Sequence, residues 1–129
     1  MEFSDAPDVE LLEQQGKNCG SDQMMHHATA AEKNKPVLRQ FDQYGRRIDV
    51  VDYHDSYHTL MKSGLQTGCS GYGFGHEEPG SHVTRCALIY MENQLEPGHC
   101  CPLTMTTAAI PVLQQHDHYK PWAQKLIHQ

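Results

Sequence analysis

No apolar run in this sequence approaches the roughly 20 residues that a bilayer-crossing helix needs, so no membrane span is expected. Positive charge is also scarce. Ten Lys and Arg stand against sixteen Asp and Glu, a net charge of −6 with neutral histidines. That balance argues against a nucleic-acid partner, whose binding calls for a basic patch. The opening MEFSDAPDVELL lacks a basic region followed by an apolar stretch, so it does not read as a secretory signal. It is acidic rather than Arg-rich, unlike a transit peptide. A soluble intracellular protein, cytoplasmic rather than mitochondrial, is the expectation. Cysteines are few and odd in number: Cys19, Cys69, Cys86, Cys100 and Cys101. Their irregular spacing implies no disulfide framework. Cys86 sits among apolar residues and reads as a small hydrophobe. With 129 residues the chain has length for one small domain and no more.

What is present concentrates between Ser81 and Leu113, the longest stretch able to bury a core. Ser81 can cap a helix, because its hydroxyl can accept from a free first-turn N–H. Val83, Cys86, Ala87 and Tyr90 follow at helical spacing, and Leu88, Met91 and Leu95 make a second apolar row. Arg85, Glu92 and Glu96 are left as a solvated polar face. Pro97 and Gly98 end the helix in a turn. A second apolar segment begins at Pro102, which suits a first helical position. The run Leu103 to Ile110 is small and hydroxyl-rich. It fits either a tightly packed helix whose threonines bond back to their own carbonyls or a shallow helix face with room for a ligand. Pro111 should break or kink it.

Upstream, Asp8 to Gln15 can form a short helix stopped by Gly16. Ser21 can cap a second helix that buries Met24, Met25, Ala28 and Ala31 and ends near Asn34. Val37 to Phe41 and Ile48 to Tyr53 read as a β-hairpin turning at Tyr44-Gly45, with an irregular loop as the alternative. A helix then starts at His54 or Asp55, places Tyr57, Leu60 and Met61 on one side, and ends at Gly64. Residues 68–80 hold five of the ten glycines. They match no phosphate-binding pattern and read as a flexible connector, with Glu77 and Glu78 set to repel an anion. Pro121 can open a last helix anchored by Trp122, Leu126 and Ile127. Among ten histidines, His54 and His58 share a helix face as zinc ligands do, but no third ligand is placed, so no metal is expected.

Several separated motifs occur in a family order. Lys35-Pro36-Val37-Leu38 precedes the turn Asp42-Gln43-Tyr44-Gly45-Arg46-Arg47, then the helix start from His54 to His58, then Glu96-Pro97-Gly98-His99-Cys100-Cys101-Pro102-Leu103-Thr104-Met105-Thr106-Thr107-Ala108-Ala109-Ile110-Pro111. In this the chain resembles the amino-terminal part of AidB-type (adaptive-response) acyl-CoA dehydrogenases, from about Asn34 to Gln129. Ala30 to Asn34 departs from the pattern found before the proline in that family.

The resemblance implies a mainly α fold, the helical amino-terminal domain, with a small hairpin near residues 37–53. It implies α,β-dehydrogenation of acyl-CoA thioesters, with FAD taking a hydride and a carboxylate base taking a proton. The flavin-binding and base-bearing domains lie downstream in the family, so residues 1–129 are expected to be a fragment, inactive alone, that pairs with those domains or with full-length subunits. No catalytic base is assigned. In the family the helix equivalent to Cys101–Ile110 borders the acyl-chain pocket, which makes Thr104, Met105 and Thr106 candidate substrate-binding residues. AidB's association with DNA runs through a basic carboxy-terminal region and is not carried over. The alternative is a non-catalytic short product serving as an interaction or acyl-binding module.

Overall fold

Residues 7–76 and 78–128 are described by the computed structural model. They form a mainly helical assembly with one two-stranded antiparallel sheet. Helix α1 (Val9–Cys19) is capped by Asp8, whose carboxylate accepts from the Leu11 N–H at 3.0 Å. Helix α2 (Asp22–Lys33) is capped by Ser21, which accepts from the Met24 N–H at 3.2 Å. These side chains satisfy first-turn donors that would otherwise lack a partner. Strands β1 (Val37–Phe41) and β2 (Arg47–Asp52) follow. Then come α3 (Asp55–Gln66), the single turn α4 (Tyr72–Gly75), α5 (Ser81–Leu95) and α6 (Cys100–Gln114). A 3₁₀ turn (Asp117–Tyr119) leads into α7 (Lys120–Ile127). The expected fraying of residues 1–7 lies, Pro7 apart, outside the described residues, as does the reading of Glu77.

The hairpin pairs Val37 with Asp52, Leu38 with Val51 and Arg39 with Val50. Its turn is set by Asp42, whose carboxylate accepts from the N–H groups of Tyr44 (2.8 Å) and Arg46 (2.9 Å), and by Gly45 at φ +78°. That φ suits glycine, which has no Cβ to clash. Asp49, at φ +46°, falls where the register slips between Arg39 and Phe41. Every residue of both strands is exposed, so the hairpin adds little to the core.

The core lies where α1, α3, α5 and α6 meet. Cys69, Leu88 and Leu103 are fully buried at its centre, with Leu12, Met61, Leu65 and Met91 against them. Leu60 and Ile110 are likewise fully buried. Each such side chain contributes about 1.5–3 kcal/mol relative to an exposed one.

Several expectations are corrected by this packing. Gly16 does not stop α1. The helix runs on to Cys19, because one mid-helix glycine costs only about 1 kcal/mol against alanine, and Gln15 and Cys19, one turn apart, engage each other on one side of it. Gly64 does not end α3. An added Cβ there would lie 2.6 Å from Leu103 Cδ1, so this glycine makes room for Leu103 of α6. Of the break or kink expected at Pro111, the break does not occur: the residue sits exposed inside α6, which runs on to Gln114. Ser81 is the first residue of α5 rather than its cap. Gly80, at φ +88°, takes the cap position.

The buried face of α5 is Ser81, Thr84, Leu88 and Glu92. The expected row of Val83, Cys86 and Tyr90 is exposed. On α2, Met24 and Ala28 are buried but Met25 is not. On α7, Ala123 and Ile127 face inward while Trp122 is 69% exposed. Part of the glycine-rich segment is core rather than connector. Cys69 and Ser70 are buried, and a Cβ on Gly71 would meet the Ile127 backbone at 2.5–2.8 Å. The glycines there let α7 and α4 approach, and α4 itself was not foreseen.

Candidate functional site

Helix α6 sets the geometry of the candidate site. Leu103 and Ile110 point into the core with no exposure. Ser70 donates to the Leu103 carbonyl at 3.1 Å, and Thr107 donates to the carbonyls of Ser70 and Leu103, each at 3.1 Å. These bonds tie α6 to the segment before α4 and fix its rotation. The opposite stripe, Cys101, Thr104, Met105, Ala108 and Val112, faces outward. Of the three candidate residues, Thr104 is exposed, Met105 is 68% exposed and Thr106 is half-buried. The Thr106 hydroxyl donates back to the Pro102 carbonyl at 2.9 Å. Thr104 and Met105 thus lie together on the free face, and Thr106 turns partly away from it. The inner side of this hydroxyl-rich run is tightly packed with threonine back-bonds, and its outer side is exposed.

A cleft of about 600 Å³ opens at the start of α6, walled by Tyr53, Tyr57, Glu96, Pro97, Gly98 and Pro102 among others. Tyr53 and Tyr57 stack there with ring centroids 4.6 Å apart. Burial pushes the Tyr57 hydroxyl up, with Tyr53, Glu96 and Cys101 adding to the effect. Thr104, Met105 and Thr106 are not in this cleft's wall.

Behind the cleft lies a polar relay that sequence reasoning missed. Glu92, expected on a solvated face, has no exposure, and neither has His99. The imidazole spans two carboxyl groups: Nε2 is 3.0 Å from Glu92 Oε2, and Nδ1 is 3.0 Å from Glu96 Oε2. Gln15 donates to Glu92 Oε1 at 2.5 Å and Ser63 donates to it at 3.2 Å. Asn18 donates in turn to Ser63 at 3.0 Å. Glu96 also accepts the backbone N–H groups of Gly98 (2.7 Å) and His99 (2.9 Å), which closes the turn between α5 and α6.

The electrostatics follow from these contacts. Burial works against a charged His99, but hydrogen bonds and attraction from Glu92 and Glu96 outweigh it and raise the imidazole above its ordinary 6.5. Burial works against a charged Glu96 too, but the His99 and Gly98 N–H groups and the imidazole hold it below 4.5. Burial, with Glu92 and Glu96 nearby, pushes the Cys100 thiol up to about 11. Burial and Glu92 push Cys19 to about 11, and burial lifts Cys69 to about 12. One signal for the relay was legible. Glu92, Glu96 and His99 are spaced four and three residues apart across a Pro-Gly turn, so both carboxyls share a helix face and the histidine folds back onto them.

The histidines tested as metal ligands have other contacts. His54 caps α3, its Nδ1 accepting from the Ser56 N–H at 3.2 Å. His58 lies edge-on to Tyr53 and Tyr57. Among the described residues no group of three ligating side chains converges.

The fold is one shared with acyl-CoA dehydrogenase-type proteins. The Caenorhabditis elegans protein ACDH-11, solved in complex with C11-CoA, superposes with a TM-score of 0.70 at 17% identity over 97% of this chain. The apo form of Bd2924 superposes with a TM-score of 0.76 at 26% identity over 88% of it. A family model described as the adaptive response protein AidB N-terminal domain matches residues 2–129. The Escherichia coli K12 protein named "Putative acyl-CoA dehydrogenase AidB" is 32% identical over 109 residues, 84% of this chain. The chain therefore belongs to the AidB N-terminal domain family. It spans 20% of the length of that E. coli relative and 24% of each of the two solved chains. No helix among the described residues is long and apolar enough to cross a membrane.

Proposed function

We propose that this chain is the amino-terminal helical part of a flavin-dependent acyl-CoA dehydrogenase, and that the outward face of α6 forms one wall of its acyl-chain pocket. The observation carrying this reading is the two-sidedness of α6. Its inner face is locked by Leu103, Ile110 and the Thr107 bonds, while Thr104 and Met105 are presented, uncovered, on a rigid helix. A pocket wall calls for that combination: fixed backbone, small side chains and a little hydrogen-bonding capacity. The C11-CoA bound by ACDH-11 supports an acyl thioester as the ligand class.

Residues 1–129 form one domain in this reading, and by themselves are inactive. FAD, when bound by a dehydrogenase of this kind, accepts the hydride from the substrate's β carbon. The glycine-rich segment here does not suit it. An added Cβ on Gly73 would meet the His82 ring at 2.3–2.9 Å, and one on Gly71 the Ile127 backbone, so these glycines serve packing and leave no phosphate cradle. Flavin binding thus falls to other domains, and this chain's part is to hold the pocket wall in place. The exposed Val83, Tyr90, Val112 and Trp122 support further protein mass against these helices.

The test is to read the transcript past the codon for Gln129 and purify its product. A continuing frame whose product binds flavin and dehydrogenates acyl-CoA is expected. A stop codon at that point, with no acyl-CoA dehydrogenation by the product, would overturn the reading.

A further inference from the structure

We propose that Glu92, His99 and Glu96 form a proton-gated latch that keeps the turn between α5 and α6 closed and releases Glu96 toward the Tyr53–Tyr57 cleft when the proton is lost. A neutral imidazole has one N–H and one lone pair. Here both ring nitrogens lie 3.0 Å from carboxyl oxygens. Both contacts are hydrogen bonds only while the relay holds one proton more than a neutral histidine between two carboxylates. Without it, one contact sets a lone pair of the wholly buried imidazole against a carboxyl oxygen, a costly arrangement.

The two ends of the relay are not equivalent. Glu92 is wholly buried, with Gln15 and Ser63 fixing its other oxygen, so it retains the remaining N–H. Glu96 borders the cleft and has a side chain 14% exposed, so it is the end free to move. Its carboxylate also holds the Gly98 and His99 N–H groups, and its release loosens the turn.

Other titratable and polar groups face the relay from each neighbouring element. From α1 it meets Gln15 and the Cys19 thiol, and from α3 Ser63 and Tyr57. Cys69 follows α3, and Cys100 and Cys101 open α6. The thiols of half-buried Cys19 and of buried Cys69 and Cys100 are held near 11 to 12. Across the cleft stand Glu32 and Lys35. Both ring nitrogens meet the two carboxyl groups directly, so the gating proton belongs to the three-residue relay.

The experiment is amide hydrogen exchange on the 129-residue chain at pH 6 and pH 9, corrected for the intrinsic pH dependence of exchange. Protection at Gly98 and His99 should fall by about ten-fold or more, while Leu88, deep in α5, changes much less. His99→Gln, which cannot titrate, should abolish the pH dependence. Should that variant not fold, nitrogen NMR of His99 in the unaltered chain decides. Both ring nitrogens protonated at pH 6, with one proton lost in step with the change in exchange, supports the latch. Protection independent of pH, or a His99 ring with a single proton at pH 6, overturns it.

Discussion

Replacing His99 with alanine tests the relay as a structural element. The substitution removes two hydrogen bonds to carboxyl groups, each 3.0 Å long. It leaves Glu92, with no exposure, to two neutral donors, Gln15 and Ser63. Hydrogen bonds to charged groups contribute about 1.5–3 kcal/mol each, and breaking a buried ion pair by removing one partner costs about 3–5 kcal/mol. A domain of this size has about 5–15 kcal/mol of total stability. The variant should therefore lose about a fifth or more of its stability. With a urea m-value of about 1–3 kcal/mol per molar, the midpoint falls by more than about 1 M at pH 6, read by far-ultraviolet circular dichroism. Most of the loss comes from the stranded Glu92, so adding Glu92→Met should recover a large part of it, and the two substitutions should be strongly non-additive. A His99→Ala loss below about 1 kcal/mol, or simple additivity in the double variant, would refute the reasoning.

Stability should also follow pH through the same groups. The raised His99 contributes fully below its ordinary 6.5, and that contribution is lost as pH rises through its folded value. The lowered Glu96 contributes fully above 4.5, and that is lost as pH falls through its folded value. The melting temperature should be highest between roughly pH 4.5 and 6.5 and decline on both sides; a plateau extending from pH 5 to pH 9 would contradict this. Gly71→Ala places a methyl against the Ile127 backbone and should cost about 1–3 kcal/mol by displacing the end of α7, seen as a lower urea midpoint. A thiol reagent on the native chain should label Cys86 and Cys101 quickly and Cys19, Cys69 and Cys100 slowly. Rapid labelling of all five would show that the core is open.

How much of this was legible in the sequence differs by element. Helix starts at Asp8 and Ser21 were readable because a capping side chain acts over three residues. The hairpin was readable from its β-branched runs and the Asp42–Gly45 turn. What failed depended on contacts between elements. Gly16 and Gly64 carry the same local signal as a terminator, but α1 and α3 both run on, and only the packing shows that Gly64 makes room for Leu103 of α6. The face of α5 was misassigned for a related reason. Val83, Cys86 and Tyr90 are more apolar than Thr84 and Glu92, but Glu92 is drawn inward by Gln15, which lies 77 positions away in the chain. No periodicity reports such a pairing. For α6 the resemblance picked out Thr104, Met105 and Thr106 alike, while the structure separates them. Thr104 and Met105 look outward, and Thr106 is half turned into its own helix.

That separation selects the variant for the most direct test of the pocket reading. Thr104→Phe adds bulk on the exposed face of α6 and leaves Leu103 and Ile110 in place. The measurement is dehydrogenation by the full-length enzyme across a series of acyl-CoA chain lengths. The account predicts that the variant loses about ten-fold or more in kcat/KM on long chains relative to short ones, the scale of one or two methylene contacts in a pocket. An unchanged chain-length profile, or an equal loss on every substrate, would contradict the placement of α6 in the acyl-chain wall.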